Sequence, residues 1–354
     1  MSQHFLVIAT EYNVLNLVAL AALAQPGDRV SVFADAQSRR EGWAQRMVEV
    51  AGQRGLQAAQ LALHNWTAAE MLRAVRTCVG EDPPAGAPCE LVFLAIGGRK
   101  HDAIVLHEWV RRVAADSGVA LRTVSVDRRP LTLRESHMQA GGIAYRRIPL
   151  RQLEPRRRVG LDEVLALHGY RRRGGDYVGP EAPLANPDGR EGGERFELAV
   201  LRCVQQALRG AEAAPLLNQL WWGVEVQSGS VNVAITEFDV LLLGCDGSVI
   251  HFECKLGQAA GMQKKTFQMR RIFTPESRIV LCRGISSTAG DTAVQDTLRS
   301  LHAQFQTLGS FDTVLLAQPG GGDRPVSATV PSPVDQIRRI LHAAWVQAEA
   351  GDGA

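Results

Sequence analysis

Short apolar runs alternate with helix-like segments in the N-terminal part of the chain. Residues 5–9, 29–33 and 91–96 are apolar runs of strand length, whereas residues 15–24 and 43–52 have helical composition. Strands that alternate with helices form a parallel sheet with helices on both faces. The ligands of such sheets bind beyond the carboxyl ends of the strands. The pattern therefore predicts an α/β fold with a parallel sheet, and a binding site in the loops that follow its strands.

The composition is that of an ordinary globular protein. Of the 354 residues, 45% are hydrophobic and 21% are charged, and the formal net charge is +2. At roughly 100–200 residues per domain, this length predicts two or three domains. No apolar run reaches the ~18 residues that cross a bilayer, and residues 1–5 lack the positive start of a secretory signal. The six cysteines contain no C-x-x-C pair. We therefore expect a cytoplasmic protein with no membrane partner and no cysteine-based zinc site.

A change in residue composition divides the chain into three parts. We predict an N-terminal domain over residues 1–150, an arginine-rich linker with one short helix over 151–193, and a second domain over 194–354. The linker helix is expected at 161–168, ahead of Gly169. The arginines of this linker are typical of a solvated connector, and a surface that contacts phosphates is the alternative.

The second domain is predicted to open with an amphipathic helix and a hairpin. Apolar residues recur at helical spacing over 194–209, and two strands, 235–243 and 249–254, flank an Asp-Gly turn. The remaining predicted elements are a helix over 261–272, strands over 278–283 and 311–317, and a closing helix over 334–350.

Three charged residues interrupt the apolar strands of this hairpin. Glu253 and Lys255 lie two residues apart, so on a strand they project from the same face, and Asp239 lies across the hairpin from them. Two converging carboxylates without a partner would cost several kcal/mol. A divalent cation such as Mg²⁺ or Mn²⁺ would resolve this, because it takes carboxylate oxygens and bridges them to a phosphate. Lys255 would then hold or deprotonate the attacking water.

Two alternatives accompany this interpretation of the hairpin. The three side chains could form an ordinary surface ion pair, although the strands around them are very apolar. Glu237 lies two residues before Asp239 on the same face, so it could share the metal or replace a ligand. Lysine is rare in this chain, since only four of its 39 basic residues are lysine. A lysine beside Glu253 therefore suggests a role that arginine does not fill.

Polar loops follow two strands of the N-terminal domain. One loop carries Gly97, Gly98, Arg99, Lys100 and His101 after the 91–96 strand. Glycines at such a place let backbone N–H groups and a helix N-terminus approach a phosphate or a ribose. The polar residues after the first strand belong at the same edge of the sheet; they are Thr10, Glu11, Tyr12, Asn13 and Asn16.

Taken together, these motifs resemble the CRISPR ancillary nucleases that join a CARF (CRISPR-associated Rossmann-fold) sensor domain to a PD-(D/E)xK nuclease domain. This resemblance implies a Rossmann-like domain with a parallel sheet, followed by an α/β domain of the restriction-endonuclease type. Glu253-Cys254-Lys255 matches the Glu-Cys-Lys of that family, and Asp239-Val240 lies in its Asp-containing strand, with Thr236 in place of an Asn. Gly193 to Glu197 resembles the helix motif that ends in Glu. Gly97, Gly98 and Lys100 match the Gly-Gly-x-Lys loop, while Glu11 and Asn16 match the first loop, with Leu15 in place of the usual Pro.

The resemblance implies a homodimeric, metal-dependent nuclease of type III CRISPR defence. A cyclic oligoadenylate, with cyclic tetra-adenylate as the first choice, would bind across the two-fold axis, and single-stranded RNA, DNA or supercoiled DNA would be cut. Asp239 and Glu253 would hold the metal, with Glu197 as a further catalytic carboxylate and metal ligand, and Lys255 as the catalytic lysine. The messenger-binding residues would be Thr10, Glu11, Asn13, Asn16, Gly97, Gly98, Arg99, Lys100 and His101. Gln263 and Lys264 would contact the nucleic acid.

Two other functions are compatible with the sequence. One is a stand-alone repair or restriction nuclease whose first domain is structural, against which the paired polar loops argue. The other is a non-catalytic ligand sensor, against which the intact set of Asp239, Glu253 and Lys255 argues. Trp221 and Trp222 precede the hairpin and are predicted to be core residues, with stacking on unpaired bases as the alternative.

Overall fold

The chain forms two compact units. The first is built from the residues up to Val159 with Ala166–Gly169 and Cys245–Gly247, and the second from Gly160–Leu165, Tyr170–Gly244 and the residues from Ser248 onward. The computed structural model describes residues 3–79, 90–128, 131–139, 142–184, 190–229, 234–256, 262–273, 277–286, 289–305, 311–318, 325–327 and 330–346.

In the first unit, seven of the described strands form one sheet in the order β3-β2-β1-β4-β5-β6-β7. The strands from β3 to β5 pair in parallel, whereas β6 pairs antiparallel with β5 and with β7. Their bounds are β1 (Gln3–Ile8), β2 (Arg29–Ala34), β3 (Gln57–Ala62), β4 (Glu90–Leu94), β5 (Ala120–Arg128), β6 (Leu131–Gln139) and β7 (Gly142–Pro149).

Helices cover the parallel part of this sheet. Phe5 and Leu6 are successive residues of β1, so their side chains point to opposite faces, and both are fully buried. Both faces of the sheet are therefore covered, as the sequence pattern predicts. The helices of this unit are α1 (Asn13–Leu23), α2 (Ala36–Arg40), α3 (Trp43–Gln53), α4 (Ala68–Val79) and α5 (Lys100–Asp116).

The second unit contains a mixed sheet in the order β14-β13-β12-β11-β10-β8, with β9 also paired to β10. Strands β10, β11 and β12 are antiparallel, while β12, β13 and β14 run in parallel. The bounds are β8 (Tyr170–Arg172), β9 (Asp176–Tyr177), β10 (Leu217–Ser228), β11 (Ala234–Gly244), β12 (Val249–Lys255), β13 (Arg278–Ser286) and β14 (Phe311–Gln318).

The helices associated with this sheet are α7 (Gly192–Leu208), α8 (Met262–Ile272), α9 (Asp291–Phe305) and α10 (Pro333–Trp345). Helix α10 ends earlier than the predicted 334–350, and residues 347–350 lie outside the described part of the chain. Strands β3 and β5 to β10 and helices α2, α4 and α9 were not recognised from the sequence pattern. Strand β3 illustrates the reason. Its sequence QAAQLA has a single large apolar residue, so the apolar signal is weak, and none of its residues is fully buried in the structure.

The predicted linker contains regular structure. Helix α6 (Leu161–Leu167) lies where the sequence predicts a short helix, and β8 and β9 follow it. Arg157 donates a hydrogen bond to the carbonyl of Ala22, and Arg172 pairs with Asp162 at 2.9 Å. These arginines thus make structural contacts. Among the described helices, none combines the length and the apolar character needed to span a bilayer.

Candidate functional site

The hairpin of β11 and β12 brings two carboxylates together inside the second unit. Val240 pairs with Phe252, so the next position along the ladder places Asp239 beside Glu253. Asp239 is 8% exposed and Glu253 is fully buried. The backbone N–H of Cys254 donates a hydrogen bond of 2.6 Å to Asp239 Oδ2, which orients this carboxylate toward the end of β12. The structure therefore brings Asp239 and Glu253 together across the hairpin.

Two ammonium groups contact the Glu253 carboxylate from different elements. Lys255 Nζ, at the end of β12, lies 2.6 Å from Glu253 Oε1, and Lys265 Nζ, on α8, lies 3.4 Å from Oε2. Lys265 also donates a hydrogen bond to the carbonyl of Glu237 and lies 5.8 Å from the centre of the Phe238 ring. The sequence analysis named Lys264 rather than Lys265 for this helix. Lys265 is therefore a contact of the Glu253 carboxylate that the sequence analysis missed.

These side chains line a cavity of about 220 Å³ at the end of the hairpin. Three of the four lysines of the chain line it, namely Lys255, Lys264 and Lys265. Lys264 is exposed, and it forms no ion pair with another described residue. Gln263 lies in α8, but its side chain is outside the part of the structure that is described. The cavity concentrates positive charge around one buried carboxylate.

His251 is a third group beside the two carboxylates, and the sequence analysis did not single it out. Its Nε2 lies 3.4 Å from Glu253 Oε2, and the ligand atoms of Asp239, His251 and Glu253 lie within 4.8 Å of one another. The imidazole is fully buried, with its ring edge against Phe238 at 4.9 Å between centres. His251, Glu253 and Lys255 are alternate residues of β12, so they lie on the same face of the strand. This spacing could have indicated from the sequence that His251 lies beside the carboxylates.

Burial and mutual repulsion set the protonation of these groups. Desolvation, and then the neighbouring Glu253 carboxylate, raise the pKa of Asp239 to about 7. Desolvation alone would raise the pKa of Glu253, but His251 and the ammonium groups of Lys265 and Lys255 outweigh it and lower that pKa. Burial lowers the pKa of His251 to about 3, so its ring is neutral near pH 7. The buried negative charge therefore resides on Glu253 first.

Lys255 is held in its charged form. Desolvation alone would lower the pKa of this lysine, but the contact with Glu253 and the charge of Asp239 outweigh that effect and raise its pKa. The side chain is 32% exposed, so it connects the buried carboxylates to the solvent-facing cavity. At neutral pH it is an ammonium group that donates hydrogen bonds.

Glu197 and Glu237 stand at the periphery of this cluster. The indole N–H of Trp222 donates a 3.0 Å hydrogen bond to Glu197 Oε2, and desolvation, followed by the Glu237 charge, raises the pKa of Glu197. Glu237 lines the cavity. Neither residue belongs to the cluster of Asp239, His251 and Glu253, whose possible ligand atoms lie within 4.8 Å of one another. Trp222 thus orients Glu197, while Trp221 is 8% exposed and packs in the core.

The residues present fit a divalent cation. Neither oxygen of Glu253 accepts a hydrogen bond of good geometry from a described residue, although both are buried. Carboxylate oxygens are the ligands that Mg²⁺ and Mn²⁺ prefer. Asp239 and Glu253 supply such oxygens from opposite strands, and a cation between them would remove the repulsion that raises the pKa of Asp239.

A second cavity, of about 340 Å³, lies at the carboxyl ends of β1, β2 and β4 in the first unit. Arg99 is the basic residue among its walls, which also carry three carboxylates and three aromatic rings. The polar and aromatic lining residues are Thr10, Glu11, Tyr12, Asp35, Gln37, Ser38, Trp43, Trp66, Arg99 and Asp102. Trp43 and Trp66 were not predicted from the sequence. Trp66 has φ of +53°, the one positive value among the described non-glycine residues, and such strain often marks a ligand site.

Two glycines of the loop between β4 and α5, Gly97 and Gly98, line this cavity. A Cβ at Gly97 would lie 2.8 Å from the carbonyl oxygen of Ile8, and Gly98 has φ of +90°. The loop after β4 therefore approaches the end of β1 as closely as the backbone allows. Both positions require glycine for a geometric reason.

The other predicted ligand residues have different positions. Asn13 and Asn16 are buried and do not line the cavity. Asn13 accepts a hydrogen bond from the N–H of Thr10, and Asn16 donates one to the carbonyl of Ile8, so both brace the loop after β1. Lys100 and His101 are exposed in the first turn of α5, beside the cavity rather than among its walls.

Comparisons with known proteins support the fold. No known family model and no curated protein matches the chain. A solved structure of Can2 from Sulfobacillus thermosulfidooxidans in complex with cyclic tetra-adenylate matches at 12% identity over 96% of this chain and 99% of that chain, with a TM-score of 0.59. The crystal structure of protein VC1899 from Vibrio cholerae matches at 13% identity over 99% of each chain, also with a TM-score of 0.59. The α/β fold class predicted from the sequence is thereby confirmed over both units.

Proposed function

We propose that this chain is a metal-dependent nuclease activated by a cyclic oligoadenylate, acting in type III CRISPR antiviral defence. The observation that carries the nuclease part is the pair of buried, opposed carboxylates, Asp239 and Glu253, with Lys255 Nζ 2.6 Å from Glu253. This set of groups is suited to phosphodiester hydrolysis, because charge accumulates on phosphate oxygens during the reaction and a water must be oriented for attack.

In this proposal Asp239 and Glu253 hold Mg²⁺ or Mn²⁺. Such an ion supplies positive charge to the phosphate oxygens and lowers the pKa of nearby water. Lys255, charged at neutral pH, donates hydrogen bonds that orient the attacking water in the cavity. Lys265 holds Glu253 from the other side, and Glu197, oriented by Trp222, supports the carboxylate cluster from α7.

Substrate contacts in this proposal come from the rim of the cavity. Lys264 is exposed there and is available to a backbone phosphate. Contacts to phosphates position a nucleic acid without reading its bases. The proposed enzyme therefore has little sequence specificity.

The activator part of the proposal rests on the cavity of the first unit. Trp43 and Trp66 offer surfaces for adenine rings, Glu11 offers acceptors for ribose hydroxyls or amino groups, and Arg99 offers donors for a phosphate. The similar fold of Can2, solved with cyclic tetra-adenylate, supports the choice of that ligand. A cyclic tetramer has a two-fold axis, so we propose that two copies of the chain bind it with this cavity and with Lys100 and His101 beside it.

The test is a cleavage assay with single-stranded RNA, single-stranded DNA and supercoiled plasmid, in Mn²⁺, with each cyclic oligoadenylate in turn. The proposal predicts cleavage that requires both the metal and one cyclic oligoadenylate, and no cleavage by the Glu253→Gln variant. Equal cleavage in a chelator would contradict the metal site. Full activity without any cyclic oligoadenylate would contradict the activator part and leave a stand-alone nuclease.

A further inference from the structure

An aromatic side chain stands out on the solvent face of α8, next to the candidate catalytic cavity. Phe267 is 66% exposed, which is unusual for a residue that is among the most often buried. Its neighbours on the helix surface are Lys264, three residues before it, and Arg271, four residues after it. Both are exposed, and neither forms an ion pair with another residue in the described part of the chain.

This surface adjoins the cavity through α8 itself. Lys264, Lys265 and Gln268 of this helix line the cavity that contains Glu253 and Lys255. Lys264 therefore belongs both to the cavity rim and to the exposed face that carries Phe267. Buried residues Met262, Thr266 and Met269 fix the opposite face of the helix against the unit. The rotation of α8 thus leaves Phe267 in solvent, about one helical turn from the rim.

We propose that Phe267, Lys264 and Arg271 form a binding site for an unpaired base of a single-stranded nucleic acid. An exposed aromatic ring between two cations at helical spacing matches a nucleotide, because the ring stacks on a base while the cations contact the phosphates on either side. A duplex offers no free base face to Phe267, so the site favours single strands. This inference rests on the proposed function, since it assigns the substrate class of the same cavity.

The chemistry of the partner follows from the charges. An isolated ring gives a protein partner little apolar area to bury, whereas a polyanion with stacking groups satisfies the ring and the two cations, which form no ion pair with a described residue. Ile235 also lines the cavity and is 39% exposed, which adds an apolar contact beside the rim. The site holds the strand next to Glu253 without reading its sequence.

The test measures binding without cleavage. Fluorescence anisotropy of a labelled oligo-dT strand and of a labelled duplex of the same length is recorded in EDTA, with and without cyclic tetra-adenylate, for the parent and for Phe267→Ala, Phe267→Leu and Phe267→Trp. Phe267→Leu is the matched control, because it keeps an apolar side chain and removes the ring face. We expect the single strand to bind the parent more tightly than the duplex. Phe267→Ala and Phe267→Leu should each weaken single-strand binding by about tenfold, the loss of one stacked base, while Phe267→Trp keeps it.

Several outcomes would overturn the base-binding site. These are no binding of the single strand by the parent in either condition, parent-like binding by Phe267→Leu, or an equal loss for single strand and duplex. A change of oligomeric state in Phe267→Ala, measured by light scattering, with unchanged nucleic-acid binding would assign the ring to self-association instead. The proposed function fails separately: a protein whose binding depends on Phe267 but that never cleaves in Mn²⁺ keeps this site and loses the nuclease activity.

Discussion

At the level of single residues, lysine is used sparingly in this chain, yet Lys255, Lys264 and Lys265 line one cavity. Lys255 is the one at hydrogen-bond distance from the buried Glu253 carboxylate, at 2.6 Å. A guanidinium group is larger and planar, so it cannot take the place of the compact ammonium group between Glu253 and the attacking water. The residue is therefore expected to be specific for lysine.

We predict that Lys255→Arg lowers turnover by at least ~100-fold, the lower range for loss of one hydrogen-bond donor aimed at the reacting groups. Lys264→Arg is the matched control: it lines the same cavity but only needs a positive charge, so its activity should stay within a few-fold of the parent. Single-turnover cleavage rates at saturating activator measure both. If Lys255→Arg cleaves as fast as Lys264→Arg, then Lys255 is a plain electrostatic contact.

The raised pKa of Asp239 predicts a pH-dependent stability of the metal-free protein. Its folded-state value of about 7 lies above its ordinary value of 3.8, so its contribution to stability is fully present below about pH 4 and is lost as the pH rises through 7. Asp239→Asn keeps an acceptor for the Cys254 N–H and removes the charge. It should stabilise the second unit in EDTA at pH 8, by on the order of 1–3 kcal/mol, and by less than half of that amount at pH 5.

Urea unfolding of the parent and Asp239→Asn at both pH values measures this difference. Excess Mn²⁺ should reverse the order at pH 8, because only the parent binds the ion with both carboxylates. The same stability difference at pH 5 and pH 8 would show that ionisation of the buried Asp239 carboxylate does not destabilise the folded protein.

At the level of elements, the contact between the end of β1 and the loop after β4 shapes the first cavity. A Cβ at Gly97 would lie 2.8 Å from the carbonyl oxygen of Ile8 and 3.0 Å from Asn16 Nδ2. Either the loop after β4 or the end of β1 with the Asn16 side chain must therefore move. Gly97→Ala should therefore destabilise the first unit by about 1–3 kcal/mol and weaken binding of cyclic tetra-adenylate.

Gly52 offers the control for this change. It lies in α3, and apart from its chain neighbours and the backbone of its own helix no atom lies within 4 Å of the position that a Cβ would take, so Gly52→Ala should be neutral or stabilise by about 0.5–1 kcal/mol. Thermal unfolding and calorimetric titration of both variants give the two readouts. Normal ligand binding by Gly97→Ala would place the ligand away from this loop.

At the level of the whole molecule, the two candidate sites lie in different units, so their variants should have separable effects. Glu253→Gln should abolish cleavage and bind cyclic tetra-adenylate with the parent's Kd, since the cavity of the first unit contains no residue of β12. Lys100→Ala should do the opposite and raise the activator concentration for half-maximal activity by about tenfold, with turnover at saturation kept within two-fold. The tenfold figure is the loss of one contact to a phosphate, on the order of 1.4 kcal/mol.

Titration calorimetry and cleavage assays across an activator series separate these effects. A Glu253→Gln protein that no longer binds the messenger would link the two sites in the resting protein. An unchanged activation curve for Lys100→Ala would place this exposed lysine outside the ligand contacts.

Much of the fold followed from local pattern. Strand β1, buried from His4 to Ile8, and the apolar hairpin of β11 and β12 were recognisable because continuous apolar runs bounded by turns are strong signals. Strand β3, with its weakly apolar sequence QAAQLA, was not recognisable, since this edge strand is stabilised by pairing with its neighbour and not by its own composition. Pairing with a distant strand is not encoded in a local window.

The pairing of Asp239 with Glu253 could be predicted from the sequence alone, because a short turn fixes the register of a hairpin and a strand has a strict period of two. Which lysine of α8 reaches Glu253 could not, because adjacent residues on a helix point about 100° apart and the rotation of α8 is set by packing of its buried residues. Tertiary structure likewise decided that Asn13 and Asn16 brace the first loop, while Trp43 and Trp66 line the cavity. Residue types and local spacing are properties of the sequence, but the direction in which a side chain points depends on distant segments that pack against its element.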